Sequence, residues 1–172
     1  MTYEILYDSP SGQVEKVARA LETILPPGSV CEALEPGRQP QGEVQLVGFE
    51  LPVTQRGQIL ETVAAYLKTL TDKTVLLFAT VPLKIEDAYT GRLHKAAAAA
   101  LPNGCDYRGL HLCPMEPCEK VLGALREHAE QNPDNARAKH WLGRQEQAIG
   151  HPDEQDLQKA CAFARHVLKL NN

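Results

Sequence analysis

The chain has 172 residues, 43% of them hydrophobic and 23% charged, with a net charge of −4. That length and apolar share supply the core of one globular domain and fall short of two ordinary ones. The acidic balance and the mixing of signs leave no basic stripe and speak against nucleic acid as a ligand, and no apolar run approaches the roughly 20 residues that cross a bilayer.

The first predicted element is a strand over 3–7, followed by Asp8-Ser9-Pro10-Ser11-Gly12-Gln13 and an amphipathic helix that begins at Val14. A strand that stops at hydroxyl residues and a glycine directly before a helix gathers backbone N–H groups, two hydroxyls and a helix N-terminus around one point. That setting favours an anion such as phosphate. The helix carries Val14, Val17, Ala18, Leu21 and Leu25 on one face, and Pro26-Pro27-Gly28 stops it. A weak strand over 29–34 follows, suited to a sheet edge. After the turn-rich segment 36–42 come a strand over 44–49, a loop over 51–57 and a helix over 58–70 that buries Ile59, Leu60, Val63, Ala64 and Leu67.

Residues 74–79, Thr-Val-Leu-Leu-Phe-Ala, form the strongest strand signal, because a nearly unbroken apolar run implies cover on both faces and a central place. The loop over 80–85 leads to a helix over 86–101, whose alanines at 96–100 combine high helix propensity with side chains small enough for close approach to a sheet. A fifth strand spans 106–112. Helices over 117–131, 134–149 and 153–170 follow, the last introduced by Pro152 and a first turn rich in acids.

Strands alternating with helical stretches predict an α/β fold: a doubly wound three-layer sandwich, its five parallel strands in the order 2-1-3-4-5, as one domain in which the helical portion 117–172 packs on the sheet. A ligand in such a sheet sits beyond the carboxyl ends of the strands where the order reverses, here between strands one and three. The loops 8–14, 51–57 and 80–87 converge there.

On these residues, from Tyr3 to about Leu112, the chain resembles the flavodoxin family, in which FMN is held by the same three loops. The family's phosphate loop has the form Ser/Thr-x-Thr-Gly-Asn-Thr, and this chain offers Ser9-Pro10-Ser11-Gly12-Gln13-Val14; Val47-Gly48-Phe49 followed by Pro52-Val53 looks like the third strand and its flavin-flanking loop. The resemblance implies FMN as cofactor, with the phosphate near Ser9, Pro10, Ser11, Gly12, Gln13 and Val14 and the ring system near Val53, Thr54, Gln55, Arg56, Thr80, Val81, Pro82 and Asp87. Two departures weaken the match. Val14 replaces a hydroxyl and Pro10 removes a backbone N–H, each at a cost of roughly 1.5 to 3 kcal/mol if a charge-assisted bond is lost. The second loop also lacks the aromatic residue on which flavodoxins commonly stack the flavin.

Three functions stay open: an FMN-binding electron-transfer protein working with a partner reductase, a flavodoxin-fold accessory or binding protein that has lost or weakened FMN binding, and a small FMN-dependent reductase. The extra helices look like those of flavodoxin-like proteins from anaerobic bacteria, some of which accompany flavin reductases. The implied setting is a bacterial cytoplasm, consistent with five scattered cysteines, an odd count that makes no secreted disulfide framework, and with the lack of a signal-peptide pattern. The expected partner is a redox protein, and the expected state a monomer or weak dimer. Cys113 and Cys118 match no zinc spacing, the histidines are dispersed, and no Gly-x-Gly-x-x-Gly or Walker loop occurs, so neither a catalytic nor a metal site is assigned. Trp141 reads either as outer cover for the core or as a docking anchor.

Overall fold

The computed structural model describes residues 1–51, 61–81 and 87–170, with the backbone alone over 87–89. Its elements alternate along the chain: β1 (Tyr3–Asp8), α1 (Gln13–Glu22), β2 (Val30–Ala33), β3 (Val44–Glu50), α2 (Glu61–Leu67), β4 (Thr74–Val81), α3 (Asp87–Ala99), β5 (Asp106–Pro114), α4 (Glu119–Gln131), α5 (Ala136–Gln147) and α6 (Glu154–Leu168). The five strands are parallel, in the expected order β2-β1-β3-β4-β5. Every residue of β3 and all but the first of β4 are buried, as central strands covered on both faces require, whereas half of the short edge strand β2 is exposed.

Strand alternation divides the core into two layers. Ile5, Leu46, Leu76 and Phe78 face Val14, Val17 and Leu21 of α1 and Ala160 and Ala164 of α6. Leu6, Val47, Phe49 and Leu77 face the other way, toward Val63 and Leu67 of α2 and Leu93 and Ala97 of α3. Within the alanine run, Ala97 is buried and its neighbours Ala96 and Ala98 face outward. Helix α1 ends at Glu22, three residues before the expected Leu25. Thr23, Ile24 and Leu25 continue as tighter turns, each amide bonding three residues back, which still delivers Leu25 to the core.

One carboxylate lies inside the sheet layer. Glu4 is only 1% exposed, a costly position for a charge without partners. Its oxygens accept from Arg38 (2.8 Å), the amides of Gln41 (2.8 Å) and Gly42 (3.1 Å), and Gln45 Nε2 (2.8 Å), while Tyr66 donates to Gln45 Oε1 (2.8 Å). Burial pushes the Glu4 carboxyl up, but these donors outweigh it and hold the group below its ordinary value.

Helix α6 lies against β5 and α1, whereas α4 and α5 pack on each other as a helical hairpin. The α6 N-terminus is fixed by a capping box between Asp153 and Asp156, and Asp156 also holds His151 Nδ1 at 2.5 Å. The amide of Glu116, which enters the hairpin, donates to the carbonyl of His151, which leaves it, at 2.8 Å.

His111 of β5 packs its ring 5.3 Å from that of Phe163 on α6. Burial depresses its pKa below the ordinary 6.5, Asp156 opposing and Lys159 reinforcing the shift. The neutral ring is therefore the form the fold favours, so its contribution is complete above the unfolded value and is lost as pH falls toward the lower folded one. Urea unfolding of wild type and His111→Gln from neutral pH down through 6.5 checks this: the wild-type midpoint should fall more steeply, and parallel curves would exclude His111 as the source.

Candidate functional site

Along β3, residues 44, 46, 48 and 50 alternate onto the α1 side of the sheet, so the last of them, Glu50, points at the turn that joins β1 to α1. It is 6% exposed. Ser11 Oγ donates to Glu50 Oε1 at 2.7 Å, the Ser11 amide at 3.1 Å, and Ser9 Oγ at 3.1 Å. The Ser11 amide also reaches Oε2 at 3.3 Å. Ser9 Oγ accepts in turn from the amide of Glu15 at 3.1 Å, so the same hydroxyl caps the helix and holds the carboxylate. Gly12, at φ 82°, sits in the left-handed region that closes this turn, and its amide bonds Ser9 O at 3.1 Å. The cluster of donors read from the sequence is therefore real in outline, and the anion it holds is the chain's own.

Close approach makes this contact possible. Gly48 lies between α1 and β4: a Cβ there would fall 2.3 Å from the Phe78 ring and 2.8 Å from Val14 Cγ1. Only a residue without a side chain lets the start of α1 settle this near β3, within reach of Glu50. Val14 is fully buried in that contact and presents nothing to a ligand. Gln13 is turned elsewhere: its amide donates to Glu116 O at 3.0 Å and accepts from Glu116 N at 2.9 Å, tying the helix start to the end of β5. Pro10 is exposed.

Thr80 stands directly opposite Glu50 in the register of β3 and β4, on the same face and fully buried, and its hydroxyl has no hydrogen-bond partner among the described residues. Val81, one residue on, faces the opposite layer with Phe49 and Leu51. Val53, Thr54, Gln55, Arg56 and Pro82 lie outside the described residues, and Asp87 is placed only as the first residue of α3.

The electrostatics of the rim disfavour a second anion. Burial and then the charge of Glu50 push the Asp8 carboxyl above its ordinary value, so a second acid already feels the first. A phosphate about 4 Å from the Glu50 carboxylate would meet about 4 kcal/mol of repulsion per charge pair near a protein surface. One charge-assisted hydrogen bond returns roughly 1.5 to 3 kcal/mol. The described residues of the turn therefore do not fit the FMN phosphate while Glu50 is in place.

No activated nucleophile stands nearby among the described residues. Burial, then the charge of Asp156, push the Cys113 thiol up to about 12, which keeps it protonated, and Cys118 is a free, exposed thiol at the N-cap of α4. Trp141 is half-buried. It lines, with Leu125, His128, Asn135, Arg137 and Ala138, an open cavity of about 350 Å³ between α4 and α5.

The flavodoxin domain pattern matches residues 4–165. The chain belongs to the flavodoxin family. Among the relatives of this flavodoxin-domain protein is the flavodoxin-like domain-containing protein BilS of Clostridium symbiosum (strain WAL-14163), 27% identical over 175 residues that cover 91% of this chain and 90% of the relative. A BilS of Clostridioides difficile (strain CD3) is 24% identical over 102 residues, 59% of this chain and 58% of that one. Among solved structures, a short-chain flavodoxin associated with a non-canonical PDU bacterial microcompartment superposes with a TM-score of 0.60 at 15% identity, over 98% of this chain and 97% of that one, a likeness of fold.

Sequence reasoning missed Glu50, the residue on which the site turns. Its signal was parity: an acid two positions after Gly48, at the end of a central strand, must face the same way as the glycine and hence the turn. Gly48→Ala should push α1 off β3 and destabilise the flavodoxin-domain protein by about 1 to 3 kcal/mol. Urea denaturation measures it, and an unchanged midpoint would show that the contact has room to spare.

Proposed function

We propose that the chain is a flavodoxin-fold accessory or binding protein of a redox system, one in which FMN binding through the phosphate turn is lost or greatly weakened. The observation that carries this reading is the Glu50 carboxylate held by Ser9 and Ser11, in the turn that the resemblance to flavodoxins would give to the FMN phosphate. The departures at Pro10 and Val14 act in the same direction, removing an N–H and a hydroxyl from the donor set. The partner in this reading is a flavin-carrying oxidoreductase, and the α4–α5 hairpin, with Trp141 and Leu125 along its open seam, supplies surface beyond what the minimal fold contains. Chemistry then resides in the partner, and this chain contributes recognition and orientation.

The test is FMN itself. Protein purified from cells should be colourless, and its melting temperature should not move when FMN is added in excess, since a ligand that binds only the folded form must stabilise it. A yellow protein that releases one FMN per chain on denaturation, or a saturable FMN titration with a matching rise in melting temperature, would replace this reading with the electron-carrier one. NADPH oxidation by the isolated, FMN-loaded chain would instead point to a reductase.

A further inference from the structure

We infer that Glu50 is an autoinhibitory latch: a tethered carboxylate occupying an anion site that remains competent to take a phosphate monoester or inorganic phosphate once the carboxylate is gone. The inference rests on the function proposed above and deepens it, for it says why binding is weak and which atom group weakens it. Two independent features support it. The donors that hold Glu50 are arranged for an oxyanion, with two hydroxyls and an amide converging on one carboxylate at 2.7 to 3.1 Å. Directly across the strand pair from Glu50 and on the same face, the Thr80 hydroxyl is fully buried and has no hydrogen-bond partner among the described residues. Buried hydroxyls normally have a partner. Glu50 leaves this donor without a bond, and in the latch an incoming oxyanion, larger than a carboxylate, takes it up.

Attachment to β3 explains the dominance of the carboxylate. A group fixed at the end of a rigid central strand loses little freedom on binding, whereas a free phosphate must surrender its own. The intramolecular anion therefore prevails over a solute of similar donor preference.

The probe is inorganic phosphate, followed by ³¹P line width and by melting temperature, with FMN as the phosphate monoester in a parallel series. Wild type should show no saturable response to inorganic phosphate. Glu50→Ala should bind phosphate more tightly by on the order of thirtyfold, the worth of one charge-assisted hydrogen bond. Adding Ser11→Ala or Thr80→Val to that variant should remove most of the gain. Glu50→Gln, which keeps the shape and removes the charge, serves if Glu50→Ala does not fold, and should gain in the same direction by a smaller factor. A folded Glu50 variant with no gain in phosphate affinity overturns the latch, as does a gain that survives loss of both Ser11 and Thr80 hydroxyls. The two readings fail separately. Wild type that ignores FMN, with Glu50 variants that ignore phosphate, sinks the latch and leaves the accessory role standing; wild type that binds FMN yet ignores inorganic phosphate, with Glu50 variants that gain phosphate affinity, does the reverse.

Discussion

A single carboxylate bound by two serines links the three elements that meet at the rim of this sheet. Glu50 ends the central strand β3, Ser9 follows the end of β1, and Ser11 lies two residues before α1, so their hydrogen bonds join strand to strand and strand to helix at one point. Ser9 adds a bond to the Glu15 amide and thereby makes the helix cap part of the same network. A flavodoxin domain that receives its phosphate from outside must leave these donors free for it. Here the donors are satisfied within the chain.

The contact depends on packing several residues away. Gly48 brings α1 down onto β3 and Phe78 supports it from β4, which sets the helix start within hydrogen-bond reach of the strand end. Gln13 then fastens the helix start to the segment after β5. The far end of the sheet carries its own buried acid, Glu4, satisfied by Arg38, Gln45 and two amides. Both acids obey the rule that a buried charge needs donors aimed at it, yet only the one at the carboxyl rim lies where the fold gathers ligands.

Most of the architecture was legible because its signals are local and repeated. Apolar runs at 44–49 and 74–79 announced buried central strands, and amphipathic spacing announced the helices between them. The turn at Ser9 to Gly12 was legible as an anion cradle for the same reason, since hydroxyls, a glycine and a helix start stand next to one another in the chain. What filled it was not, because Glu50 lies 39 residues from Ser11 and meets it only through the pairing of β1 with β3. Gln13 shows the converse. It matched a family position by sequence, and the fold turned it to Glu116, 103 residues away. The three helices after β5 were visible in the periodicity and were all expected on the sheet, whereas nothing local said that α4 and α5 would pair with each other while α6 lies against β5 and α1.

The hydrogen bond between Glu116 and His151 gives the hairpin a closed neck: the chain leaves the body of the domain and re-enters it at adjoining points. Everything between those points is an excursion whose ends stay together whatever its length. Natural variation can therefore lengthen, trim or resurface α4 and α5 without altering the route of β5 into α6. Such a segment offers a place where members of one lineage can diverge in what they recognise while conserving the scaffold beneath.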